Sequence, residues 1–143
     1  MARPTTQQMG LIYGKQPGST WEWMVAVGLW SLGWSFTYQV WVMGGRLLKG
    51  GQVIDFLVHT VPQSTPLYVY GDYWHGGPKK DADLLDRELL FSYMGGSVRK
   101  PQVLVGEQLV DQETTTNSLY KMFGRGPGPV IPIPSPDLGI SAT

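Results

Sequence analysis

Asp55 lies inside an apolar stretch, Gln52-Val53-Ile54-Asp55-Phe56-Leu57-Val58, and Asp72 closes another, Leu67-Tyr68-Val69-Tyr70-Gly71-Asp72. An unpartnered carboxylate is expensive to bury, so Asp55 either faces solvent on a sheet edge or faces a polar site where a cation balances it. Two carboxylates on adjacent strands can share a hard divalent ion, because Mg²⁺ takes one or two carboxylates and completes its shell with waters and phosphate oxygens. Asp72 can equally be an ordinary carboxylate at a strand end. His75 follows at once, with an imidazole suited to proton transfer near neutral pH, or to aromatic packing beside Trp74. His59, in a loop, reads as exposed. Glu22 fits a helix capping box. Arg46 and Lys49 in a Gly-rich loop, and Lys79 and Lys80 at a helix start, can grip a phosphate backbone or simply face water. Other chemistries are missing. With no cysteine there is neither thiolate ligand nor thiol nucleophile. No GxxxxGK[ST] phosphate loop accompanies the paired glycines, and no Ser/His/Asp triad can be argued from two histidines.

These residues need elements to position them. Ser19 and Glu22 are spaced as a capping box ahead of Val25, Ala26, Leu29, Trp30 and Leu32, which predicts a helix closed by Gly33. Trp34–Val42 is rich in aromatic and β-branched residues with polar ones at alternate places, a strand pattern. Gln52–Val58 and Leu67–His75 read as two more strands, the latter changing character at Gly71. Strand alternation puts Tyr68, Tyr70 and Asp72 on one face. A second helix is predicted from about Lys79 to Met94, with Leu84, Leu85, Leu89, Leu90 and Tyr93 as its stripe. A fourth strand fits Val98–Val105, with Pro101 limiting its pairing, and a last helix fits Asp111–Phe123, closed by Gly124. The order α-β-β-β-α-β-α predicts an α/β (α+β) domain, a mixed central sheet with flanking helices. Residues 1–18 read as an arm, 19–124 as the domain, and 125–143, with five prolines, as an extended tail of polyproline character.

The chain has 143 residues, 11 Lys and Arg against 11 Asp and Glu, 15% charged and 42% hydrophobic residues. That is material for one folded domain and excludes a highly charged disordered chain. It also excludes a strongly basic nucleic-acid coater, though not a DNA enzyme with a local basic patch. The start shows no signal-peptide pattern. The most apolar run, Trp21–Trp34, is too short to span a bilayer. A cytoplasmic protein with no membrane partner is expected. The basic excess lies early: residues 1–50 carry four cations against one acid, whereas residues 51–100 carry five against six.

The run Gly44-Gly45-Arg46, Lys49-Gly50-Gly51, Val53-Ile54-Asp55-Phe56 and then Leu67-Tyr68-Val69-Tyr70-Gly71-Asp72-Tyr73-Trp74-His75 resembles the PD-(D/E)XK nuclease superfamily. The nearest pattern is its very-short-patch-repair (Vsr-like) branch and related small phage-encoded proteins. The similarity covers about residues 19–105, including the helix bearing Glu22 and the helix bearing Asp86 and Arg87. It implies a restriction-endonuclease-like fold and Mg²⁺- or Mn²⁺-dependent DNA endonuclease activity. It further implies Asp55 as the central metal ligand beside the Val69 carbonyl, His75 activating water or assisting the leaving group, and Glu22 holding metal-bound waters. The (D/E)-x-K positions fall on Tyr68 and Tyr70. In their place Asp72 would be the second carboxylate, with Lys79 or Lys80 as the cation. The same departure raises the alternative of a catalytically silent copy of the fold. Such a copy could be a phage virion or assembly component whose terminal arms bind neighbouring subunits or a second copy of the chain. A non-enzymatic nucleic-acid-binding module is a third reading.

Overall fold

The computed structural model describes residues 9–42, 52–71 and 96–129. Asp72, His75, Arg46, Lys49, Lys79, Lys80 and the helix expected after Gly76 lie outside the described residues, as does the tail beyond Pro129. The chain divides into two compact units, a helical one (residues 1–35 and 106–143) and a sheet one (residues 36–105).

In the helical unit, α1 spans Thr20–Ser31 and α2 spans Gln112–Phe123. Ser19 caps α1 as its spacing predicts: Oγ accepts the Glu22 N–H at 3.1 Å and donates to Glu22 Oε2 at 3.0 Å. At the other end the Trp34 N–H bonds the Leu29 carbonyl and the Gly33 N–H the Trp30 carbonyl. With Gly33 at φ 83° this is a Schellman closure, one residue past the Leu32 cap. Every residue from Trp23 to Trp30 is buried, as expected of a helix apolar on all sides. Trp30 meets Trp23 and Tyr13 edge-on, at 5.9 and 5.7 Å between centroids, and donates its indole N–H to Tyr13 Oη at 3.0 Å.

Asp111 caps α2, accepting the Thr114 N–H at 2.8 Å, and that bond holds its carboxyl below the usual aspartate range. The two helices approach closely at Gly28. A Cβ there would stand 2.7 Å from Leu119 Cδ1. Gln112 Nε2 donates to the Met24 carbonyl at 2.8 Å.

The described parts of the two terminal segments, residues 9–18 and 125–129, carry backbone and side-chain bonds. Ile12 and Lys15 exchange two backbone bonds around a tight turn, and Ile12 is fully buried. After α2, residues 124–128 return to the end of α1. The Gly126 N–H bonds the Leu32 carbonyl at 2.7 Å, the Gly128 N–H bonds the Gly33 carbonyl at 3.0 Å, and the Trp34 indole donates to the Gly124 carbonyl at 2.9 Å.

The sheet unit holds β1 (Phe36–Val42), β2 (Gln52–Val58), β3 (Thr65–Tyr70) and β4 (Gln102–Val105), in the spatial order 1-2-3-4. β1–β2 and β2–β3 are antiparallel, and β3–β4 is parallel, so the sheet is mixed as expected. A parallel neighbour requires a crossover of a dozen residues or more, here residues 71–101. β4 is shorter than the Val98–Val105 expectation. Pro101 has no N–H to give, and Val98 makes only an isolated bridge to Ser64. On one face Phe56 meets Phe36 and Tyr38 at centroid distances of 5.3 and 5.1 Å. Ile54 and Tyr68 form a further buried cluster against which Val40, Tyr70 and Val103 pack. No helix among the described residues is long and apolar enough to cross a membrane.

Candidate functional site

Asp55 is the only carboxylate among the described residues of the sheet unit. It sits in β2, between β1 and β3, so the edge-strand explanation for a charge in this run does not hold. Its side chain is half-buried, between the fully buried Ile54 and Phe56. Oδ2 accepts the Val69 N–H at 2.9 Å. This contact has a structural cause. The β2–β3 ladder stops at Phe56–Leu67. Continued regularly it would set Asp55 against Tyr68 and Ile54 against Val69. The Asp55 carboxylate instead supplies an acceptor for the Val69 N–H, which keeps that backbone donor satisfied where the ladder has ended.

The other side of Asp55 is interrupted as well. β1 pairs with β2 at Tyr38–Phe56 and Val40–Ile54, but the rung between them, Gln39–Asp55, is missing from the ladder. Gln39 has φ 57°, far from the strand value near −140°. A left-handed glutamine within a strand is costly. Register is the same on both sides of it, so no residue has been inserted. One peptide has turned, and a single rung has opened. Gln39 Nε2 reaches the neighbouring Tyr38 Oη at 3.3 Å. The structure therefore builds an opened rung in which Asp55 is flanked by Gln39 on one side and by the Val69 amide on the other.

Asp55 contacts Val69 through the Val69 N–H, whereas the sequence expectation concerns the Val69 carbonyl. Glu22 belongs to the helical unit, where the Ser19 hydroxyl and the start of α1 account for its position. Tyr68 and Tyr70 share a face as strand alternation predicts, their rings 6.3 Å apart. Tyr68 is 4% exposed and lies in the cluster with Ile54. His59 is exposed, with Nε2 2.9 Å from Thr37 Oγ1. Sequence reasoning missed Gln39. Its polar character within an aromatic, β-branched strand was visible, but nothing in the residue type signals a left-handed backbone, which Gly or Asn would have done.

The chemistry of Asp55 is compatible with a hard cation, because a carboxylate is an oxygen ligand of the kind Mg²⁺ accepts. Among the described residues no three His, Asp or Glu side chains gather into a metal-binding group. No family model, curated protein or solved structure matches the chain.

Proposed function

We propose that the chain is a metal-dependent DNA endonuclease of the PD-(D/E)XK type, with Asp55 at its centre. The observation that carries this reading is the opened rung: a half-buried carboxylate on an internal strand, where the backbone on both sides departs from the ladder. Sparsely populated backbone conformations of this kind concentrate at functional sites. The strand order supports it too. Among the described elements, a helix, three strands, a fourth strand and a last helix follow the expected order α-β-β-β-α-β-α, whose second helix lies outside the described residues.

In this reading Asp55 and Asp72, with the Val69 carbonyl, would hold Mg²⁺ or Mn²⁺. A bound ion of this kind supplies positive charge that polarises a phosphoryl oxygen and lowers the pKa of the attacking water. His75 would accept the proton released by that water or assist the departing oxygen. Arg46, Lys49, Lys79 and Lys80 would hold the DNA backbone through phosphate contacts.

A second reading rests on a different observation. Tyr68, at a position where the superfamily carries a ligand, is buried against Ile54, and Tyr70 packs on the same cluster. That is what a catalytically silent copy would do with the site, serving as a virion or assembly component of a phage. Cleavage of duplex, nicked, mismatched and branched DNA with Mg²⁺ or Mn²⁺ separates the two. The endonuclease reading expects cleavage that Asp55→Ala abolishes. Cleavage that survives this substitution removes Asp55 from the mechanism, and no cleavage of any substrate favours the silent copy.

A further inference from the structure

We propose that Gln39 is a positioning residue for Asp55, acting through its backbone: its left-handed conformation opens the rung and lets the Asp55 backbone leave the ladder geometry, so that its carboxylate meets the Val69 amide. The inference rests on the Asp55-centred reading for its functional meaning, while its geometry stands separately. The register places Gln39 directly opposite Asp55, because Tyr38–Phe56 and Val40–Ile54 pair on either side. In a regular antiparallel sheet the two residues would form a rung like their neighbours. At φ 57° the Gln39 peptide is turned out of that alignment, and the rung is absent although both flanking ones are kept. On the far side of Asp55 the β3 ladder has also ended, and the Val69 N–H goes to Oδ2 at 2.9 Å. A side chain accepting from the next strand while its own backbone leaves the ladder on both sides forms one coupled arrangement. Gln39 is the one residue in it whose backbone is in a costly conformation.

The Gln39 side chain reaches only Tyr38 among the contacts described, so the inference assigns the role to the turned peptide rather than to the amide group. This makes an unusual pattern of substitutions expected. Gly and Asn tolerate a left-handed backbone, so Gln39→Gly and Gln39→Asn keep the open rung although both change the side chain. Val is β-branched and strongly disfavours that region, so Gln39→Val pulls the rung towards regular pairing.

The test is the Val69 amide signal in ¹H–¹⁵N NMR spectra of the full chain, calibrated by Asp55→Asn, which weakens the acceptor without changing its shape. Gln39→Val is expected to move the Val69 signal from its wild-type position towards that of Asp55→Asn, and Gln39→Gly and Gln39→Asn to leave it in place. The proposal is overturned if Gln39→Val leaves the Val69 signal unmoved, or if Gln39→Gly moves it as far as Gln39→Val does. Should Gln39→Val fail to fold, Gln39→Ala replaces it, with a smaller shift in the same direction expected and no shift overturning the proposal. Mn²⁺ added to the same samples keeps the two claims apart. If wild-type protein shows no Mn²⁺-induced broadening at Asp55, the metal reading fails, while the Val69 pattern still decides the role of Gln39.

Discussion

The helical unit and the sheet unit obey different rules. In the helical unit the helix boundaries are decided within a few residues: Ser19 and Asp111 start their helices, and Gly33 and Gly124 end them. In the sheet unit the decisive feature is non-local. One turned peptide at Gln39 is matched against a residue 16 positions later in sequence, and a carboxylate bonds an amide on a third strand. Local capping makes the first unit regular. The second departs from regularity at the one place where a charge is held inside the sheet. A protein whose only requirement was stability would have little reason to keep both a left-handed glutamine and a half-buried aspartate on one rung.

The largest expected effects test whether each unit has a core of its own. Phe56→Ala removes the ring that Phe36 and Tyr38 enclose and is expected to cost about 3–5 kcal/mol. Leu119→Ala, fully buried and against Gly28, is expected to cost about 2–5 kcal/mol. Denaturant unfolding gives both values. Hydrogen exchange shows which elements lose protection, β1 and β2 in the first case and α1 and α2 in the second. Protection lost mainly outside the mutated unit would erase the comparison.

Next comes the return of the chain after α2. A Cβ at Gly126 would stand 2.6 Å from the Gly33 carbonyl carbon and 2.8 Å from Trp34 Cδ2. Because the obstacle is backbone, Gly126→Ala is expected to cost about 1–3 kcal/mol. It should also raise proteolytic cleavage around residues 124–128, and a wild-type digestion pattern would show that the segment is not pinned. A smaller effect sharpens the sheet side. Gln39→Gly is expected to be more stable than Gln39→Ala by about 1 kcal/mol, the reverse of the order inside a regular strand. Equal stability, measured by thermal unfolding, would mean that the left-handed backbone is not held at that position.

The smallest effect concerns pH. The Asp111 carboxyl is held below its ordinary value by the Thr114 N–H bond. A carboxyl whose folded pKa is lowered adds stability above its unfolded pKa, and that contribution is lost as pH falls through the folded value. The helical unit should therefore weaken below about pH 4. Asp111→Asn, which can still accept the N–H, should flatten this step. An unchanged acid transition in that variant would assign it to other carboxylates.

Much of the fold was legible in the residues because the signals were local. The Ser19–Glu22 spacing placed the first described helix, and the segment from Asp111 to its closing Gly124 the second, to within a residue. Apolar, β-branched runs placed three strands, and a mixed sheet followed from their order. The missed details depend on contacts distant in sequence. Val98–Lys100 carries strand-like residues, but Pro101 and the bridge to Ser64 limit β4 to four residues. The strap formed by residues 124–128 reads as the start of an extended polyproline tail until its amides meet Leu32 and Gly33. Trp41, a core candidate by type, is 55% exposed. At the site, Asp55 was singled out because a charge inside an apolar run demands an explanation. Its partner on β1 was not, because a glutamine carries no local sign of a positive φ.

The most direct test of the central claim is titration of the wild-type chain and Asp55→Asn with Mn²⁺, followed by electron paramagnetic resonance of the free ion. The account predicts that the wild-type chain removes about one equivalent of Mn²⁺ from solution and that Asp55→Asn, folded to the same far-ultraviolet spectrum, removes markedly less. Equal binding by the two proteins would contradict it.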